Sequence, residues 1–303
     1  MNKTADLTML SRFDIWILAI RPKTLPAALA PVVVGLAFAV EAGRGSWLIA
    51  IATMLVSLLL QIAANFANDL GDFHRGADAE RLGPPRVTQL GLVTASDMKR
   101  GIAVTLGAAM ALGGVLIARG GWPIALLGLA AMLAALAYTG GPFPLAYHGL
   151  GEVAVAIFFG GVGVLGTVYL QLGELPRLAL VAAVAVAAHA SAILVVNNLR
   201  DLAGDAAAGK RTMAVRLGEN GTLREYRVLI VMPFVLVAAV ALTGIERIGW
   251  LLPLLLLPSA RTLIGMVSTV RGPALNRYLG ETAQLGLRFA VLLAGGIALE
   301  RWI

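Results

Sequence analysis

Seventeen acidic residues are spread thinly over 303 positions, yet nine of them fall in two segments that each follow a long apolar run. The first holds Asp69, Asp72, Asp78, Glu80 and Asp97; the second holds Asp201, Asp205, Glu219 and Glu225. Asn65, Asn68, Asp69 and Asp72 recur at i, i+3, i+4 and i+7, so a helix gathers them on one face. Asn198, Asp201 and Asp205 repeat the pattern at i, i+3 and i+7. Asp78 stands off the first stripe and needs the chain to bend after Gly71 or Gly76. Carboxylates this close repel one another unless a cation lies between them. Oxygen donors in a chain with no Cys and three His suit Mg²⁺, which binds a few carboxylates and completes its shell with water and substrate phosphate. The metal candidates are Asp69, Asp72, Asp78, Asp201 and Asp205. Arg75, Arg81, Arg86, Arg200, Lys210 and Arg211 stand beside them and suit an anionic diphosphate.

The elements that hold these groups are membrane helices. The chain is 59% hydrophobic and 14% charged, with mean hydropathy +0.85. That leaves too little polar surface to cover a soluble fold, and far too much apolar surface for disorder. The absence of Cys excludes disulfides, zinc–thiolate sites and a Cys nucleophile. Nine runs approach the ~20 residues that cross a bilayer as helix: 15–40, 46–68, 101–119, 121–138, 151–171, 176–197, 227–244, 247–269 and 280–302. With the N-terminus inside, 18 of the 24 Lys and Arg lie on the cytoplasmic side and five outside, with Arg288 inside the ninth span. This bias predicts a cytoplasmic N-terminus and an odd number of spans. Met1 to Arg12 is polar, and no cleavable signal is expected there. The net charge of +7 follows from the same bias. The basic residues build no stripe with interleaved aromatics, so nucleic acid is not expected as a partner.

The motifs resemble those of the UbiA superfamily of intramembrane prenyltransferases. The resemblance rests on Asn68-Asp69-x-x-Asp72 with a following acid and on Asp201-x-x-x-Asp205. It is closest to the menaquinone-pathway branch, on Arg21 to Pro26, Asn68 to Asp78, Arg81-x-Gly83-Pro84-x-Arg86 and Tyr138 to Pro142. Gly149 to Glu152, Asn197 to Asp201, Gly209 to Thr212 and Leu275-Asn276 continue it in order along the chain. The family often places a Lys after the Gly-Gly-Pro turn, where this chain has Phe143; His148 is the only basic group in that loop.

The resemblance implies one all-α domain over 1–303, with nine helices around a central cavity open to lipid. Asp-motif loops at 68–100 and 197–226 would form its cytoplasmic mouth, in a bacterial inner membrane. It implies Mg²⁺-dependent transfer of a polyprenyl group from prenyl diphosphate to 1,4-dihydroxy-2-naphthoate with loss of CO₂, in menaquinone biosynthesis. Asn68, Asp72, Asp201 and Asp205 would be catalytic. Lys23, Arg21, Arg81, Arg86, Tyr138, Asn197, Asn198, Arg200 and Lys210 would bind substrate, with Lys23 favoured for its place two turns into the first helix. Tyr147 could help orient the acceptor. His189 reads as a structural bond between helices, and the five Trp as interface anchors or core. No obligate protein partner is implied. Other aromatic acceptors (4-hydroxybenzoate, homogentisate or another dihydroxynaphthoate) stay open. A transporter is the rival of a different class, although transport carboxylates usually lie near the midplane rather than at helix ends.

Overall fold

The computed structural model describes residues 10–76, 82–83 and 85–302; Asp78 and Arg81 lie outside the described residues. The first apolar run is not one helix. Helix α1 (Arg12–Ile20) starts in a capping box between Ser11 and Asp14 and ends at Arg21. Arg21 adopts a left-handed conformation with φ 57°, the one positive φ outside glycine among the described residues. Pro22 follows it, and a proline disfavours continuation of the helix through the residue before it. A 3₁₀ turn (Pro22–Thr24) follows, then α2 (Leu25–Glu41). Asn65 caps the break by donating its amide to the Ile20 carbonyl at 2.8 Å and to Thr24 Oγ1 at 3.0 Å.

Helix α3 (Trp47–His74) carries the first acid stripe at its end. Helix α4 (Ala95–Ala137) has 43 residues, and its backbone leaves helical geometry at Gly121, with φ 70° and ψ −161°. A short rod follows: α5 (Gly151–Val155), a π-helical stretch (Ala156–Leu165) and α6 (Gly166–Leu172). Helix α7 (Arg177–Ala207) carries the second stripe and α8 (Met213–Ala241) follows after only five residues. The segment expected as a loop at 197–226 is therefore mostly helix. A long 3₁₀ stretch (Ile245–Leu256), α9 (Leu257–Thr269) and α10 (Leu275–Leu299) complete the order.

Seven helices among the described residues are long and apolar enough to cross a membrane. The chain is an integral membrane protein. Its main core joins α2, the π stretch, α7, α8 and α10 through Val34, Phe38, Val164, Val195, Ile230, Phe289 and Ile297. Small residues let these backbones approach, as membrane helices require. A Cβ on Gly296 would lie 2.0 Å from the Gly249 carbonyl oxygen, and one on Gly160 2.6 Å from that of Ala183. His189 corrects its expected role. Its Nδ1 bonds the Ala185 carbonyl of its own helix, and its contacts between helices are with the rings of Phe234 and Phe289. Trp47, Trp122 and Trp302 face outward, whereas Trp250 is fully buried. At the end of the bundle away from the acid stripes, Arg247 ties Glu41 to Glu300 at 2.8 and 2.6 Å.

Candidate active site

Both acid-bearing helix ends open on one cavity of about 590 Å³. Its mouth is polar: Arg21, Asn68, Asp72, Arg86, Tyr138, Asn197, Asn198, Asp201, Asp205 and Lys210 line it. Its depth is apolar, built by Leu116, Ile124, Leu127, Phe158, Phe159, Val162 and Leu170. The π stretch supplies three of these. Its wider turn sets Phe158, Phe159 and Val162 on the cavity side, while Gly163 lies close against Pro31 of α2.

The end of α3 divides its four polar residues between two duties. Asn68 and Asp72 line the cavity, whereas Asn65 and Asp69 do not. At about 100° per residue the four span roughly a quarter of the helix circumference, with 68 and 72 on one edge and 65 and 69 on the other. Asp69 is 2% exposed, and its two oxygens accept the backbone N–H groups of Val87 and Thr88, each at 3.1 Å. Both its oxygens hold the turn that follows Arg86, so in this structure Asp69 builds the loop beside the cavity rather than lining it. That turn carries Arg86 back to Asp72, Nη2 to Oδ2 at 2.6 Å, in a pair buried on both sides. Asp72 Oδ1 accepts from the Tyr147 hydroxyl at 3.2 Å, and Asn68 Oδ1 accepts from Thr139 Oγ1 at 3.2 Å.

At the end of α7, Arg200 is 3% exposed and does not line the cavity. Its guanidinium binds both oxygens of Asp201, Asn197 Oδ1 at 2.8 Å and Asn276 Oδ1 at 2.7 Å. Arg200 thus holds Asn197 and Asp201 of the cavity wall from behind and ties them to Asn276. Asn276 in turn donates to the Leu82 carbonyl at 3.0 Å, tying the second stripe to the first loop. Lys210 Nζ stands 3.5 Å from Asp205 Oδ1, and Asp205 Oδ2 is buried without a hydrogen-bond partner.

The 139–150 loop joins the two ends without offering a cation to the cavity. Arg75 and Lys210 stand 5.1 and 5.2 Å from the centre of the Tyr147 ring, one from each acid-bearing segment. Arg75 also donates to the carbonyls of Thr139 and Gly141 at 3.2 and 2.6 Å. Phe143, standing where the family often has Lys, stacks on His148. Tyr138 lines the cavity beside Asn68 and Asp72, and its ring lies close to Gly151 at the start of α5. Lys23 is exposed in the 3₁₀ turn and does not line the cavity, whereas Arg21 does. Of the two cations, Arg21 is the one at the cavity wall.

Among the described residues, no three acidic or imidazole side chains gather closely enough to cage an ion. The donor set still fits Mg²⁺. It consists only of oxygen, from Asn68, Asp72, Asp201 and Asp205, and Asp205 Oδ2 is an unpartnered buried acceptor. Such a set suits an ion whose remaining ligands come from a phosphate. Sequence reasoning did not single out Thr139, Glu152 or Asn276 as functional. Each stood inside a quoted motif, but only contacts across the fold give them a role.

The model of the UbiA prenyltransferase family matches residues 28–274. The 1,4-dihydroxy-2-naphthoate octaprenyltransferase of Escherichia coli (strain K12) is 36% identical, covering 97% of this chain and 98% of that protein. The protein of the same name from Mycobacterium tuberculosis is 38% identical, covering 95% and 98%. A UbiA homolog from Archaeoglobus fulgidus, solved with DMAPP and Mg²⁺, superposes with a TM-score of 0.64 at 15% identity, over 92% of this chain and 98% of that one. The apo structure of a UbiA homolog from Aeropyrum pernix K1 gives 0.63 at 19% identity, over 95% and 98%.

Proposed function

The chain is a prenyltransferase of the UbiA family, and we propose that it transfers a polyprenyl group from prenyl diphosphate to 1,4-dihydroxy-2-naphthoate, releasing CO₂. One observation carries this reading: two acid-bearing helix ends, each with a cation, share the mouth of a cavity whose depth is apolar. Breaking the allylic C–O bond puts negative charge on the diphosphate. Arg86 and Lys210 stand where they can receive it, and Arg21 lines the same rim. Mg²⁺ held by Asn68, Asp72, Asp201 and Asp205 would supply further charge neutralisation to the leaving group. The aliphatic and aromatic wall from Leu127 to Phe159 keeps water from the allylic cation until the electron-rich ring attacks it. The new C–C bond forms at the ring, the ring loses its carboxyl group as CO₂, and diphosphate leaves through the mouth. Tyr138, at the cavity wall, is placed to orient a ring oxygen.

In the membrane, we place the mouth on the cytoplasmic side with nine spans. The break at Gly121 supports the count, because 43 residues at about 1.5 Å each is roughly twice the ~30 Å hydrocarbon thickness. Helix α8 supplies the remaining span, its apolar part beginning after Arg227. Reporter fusions that put both termini on one side would refute this topology.

Purified protein with Mg²⁺, labelled prenyl diphosphate and a panel of aromatic acids tests the reaction. The expected result is transfer to 1,4-dihydroxy-2-naphthoate with matching release of CO₂. Preference for 4-hydroxybenzoate or homogentisate, or transfer that survives excess chelator, would overturn the acceptor or the metal.

A further inference from the structure

Glu152 lies behind the cavity wall rather than in it. It is 7% exposed, sits in the first turn of α5, and does not line the cavity. Its Oε1 accepts from Asn198 Nδ2 at 2.8 Å, and Asn198, itself 5% exposed, does line the cavity. Asn198 is the side-chain partner of this carboxyl, whose other oxygen, Oε2, is buried. The backbone of Glu152 is held separately: its carbonyl accepts from Ser191 Oγ at 3.3 Å, which ties α5 to α7 next to the same wall.

A side-chain amide can face a cavity with either its donor or its acceptor. Here one amide N–H is given to Glu152 behind the wall, which turns the nitrogen toward that side and leaves the carbonyl oxygen as the end toward a ligand. We propose that Glu152 is a positioning residue that fixes Asn198 with Oδ1 toward the cavity, so that the wall presents an acceptor to a ring hydroxyl of the aromatic substrate. The diphosphate is the wrong partner for that atom, since both are acceptors. Asn198 also stands about one and two turns before Asp201 and Asp205, deeper than the acids that face the diphosphate. A hydroxyl donor is what this depth of the cavity is built to select, and a buried acceptor left unpaired discriminates strongly against an analogue lacking the hydroxyl.

The inference rests on the prenyl-transfer reading, and wild-type turnover is the control that separates the two. No wild-type transfer to any aromatic acid sinks that reading; active wild type with an unresponsive Glu152 sinks only this one. Glu152→Leu should fold, because it removes a buried carboxyl and leaves Asn198 free to turn its amide. Its KM for the aromatic acid should rise about tenfold or its kcat fall by as much, with the KM for prenyl diphosphate and the Mg²⁺ midpoint within twofold of wild type. Glu152→Gln keeps a carbonyl acceptor at the same place and should restore most of the activity. In an Asn198→Ala background, Glu152→Leu should cost nothing further. Should Glu152→Leu not accumulate, Asn198→Asp carries the test. It sets two acids face to face, and adding Glu152→Gln restores a donor–acceptor pair and should recover at least fivefold of the lost turnover. An equal rise in both KM values, a shifted Mg²⁺ midpoint, additive losses in the double variant, or no recovery would each overturn the proposal.

Discussion

The ends of α3 and α7 carry the same local signal, an Asn followed by paired Asp residues, and use it differently. On α3, one acid of the pair holds backbone: Asp69 fastens the Val87–Thr88 turn, which returns Arg86 to Asp72 from 14 positions away. On α7, Asp201 is held by the adjacent Arg200, and Asp205 is half free, with Oδ1 near Lys210 and Oδ2 unpartnered. The first end invests an acid in building its loop. The second end needs no such investment, because only residues 208–212 separate α7 from α8. Equal motifs therefore do not mean equal ligands, and each carboxylate has to be judged by what already occupies its oxygens.

The largest effects should come from acids that face the cavity. Asp72→Ala and Asp205→Ala should each lower turnover by at least a hundredfold while the protein stays monodisperse and folded in detergent. Their Mg²⁺ dependence should move to higher concentration or vanish. Asp69→Ala belongs to the other class. It leaves two buried backbone N–H groups unpaired and should cost about 3–6 kcal/mol of stability, at about 1.5–3 kcal/mol for each bond to a charged acceptor. Thermal unfolding in detergent reads that loss. If Asp69→Ala instead kept its Tm and lost turnover as Asp72→Ala does, the two ends would be equivalent after all.

How far these roles could be read in advance depends on what each one needs. Membrane class, the two acid stripes and the oxygen-only donor set follow from composition and helical spacing, both local properties. The duty of Asp69 was hidden because it depends on a turn 18 positions away. Arg200 reads as a substrate contact because a cation stands beside an acid motif, and its tie to Asn276 shows only when α10 is brought in. Lys23 was favoured on the assumption that one helix ran through the first apolar run. The Arg21-Pro22 pair contained the warning, since proline restricts the residue before it. Of the two cations, Arg21 is the one at the cavity, and its left-handed backbone is a form of strain that functional sites can retain.

That distinction gives a smaller effect, on binding. Arg21→Ala should raise the KM for prenyl diphosphate about tenfold, close to 1.4 kcal/mol. Lys23→Ala, exposed in the turn and off the cavity, should leave it within twofold. The reverse order would mean that α1 and α2 form a continuous helix in the working enzyme, and that the rim near α3 is organised differently from the description above.

The smallest effect tests the two ends through their glycines, each standing just before a cavity-facing Asp. Gly71 precedes Asp72 and is packed against the 139–150 loop: a Cβ there would meet Thr139 Oγ1 at 2.6 Å and the Thr139 carbonyl oxygen at 3.0 Å. Gly204 precedes Asp205, and a Cβ there would meet nothing within 4 Å. Both lie inside helices with ordinary φ, so alanine gains at either site about 0.5–1 kcal/mol of helix preference. At Gly71 the overlap outweighs that gain, because forcing a methyl into a packed contact costs about 1–3 kcal/mol and here also pushes on the Thr139 that bonds Asn68. Gly71→Ala should therefore lower Tm and turnover together. Gly204→Ala should raise Tm slightly, and any change in turnover should come from its methyl at the cavity wall. Equal destabilisation at both glycines would mean that the end of α7 is as tightly enclosed as the end of α3, and the contrast between a built loop and an open one would fall.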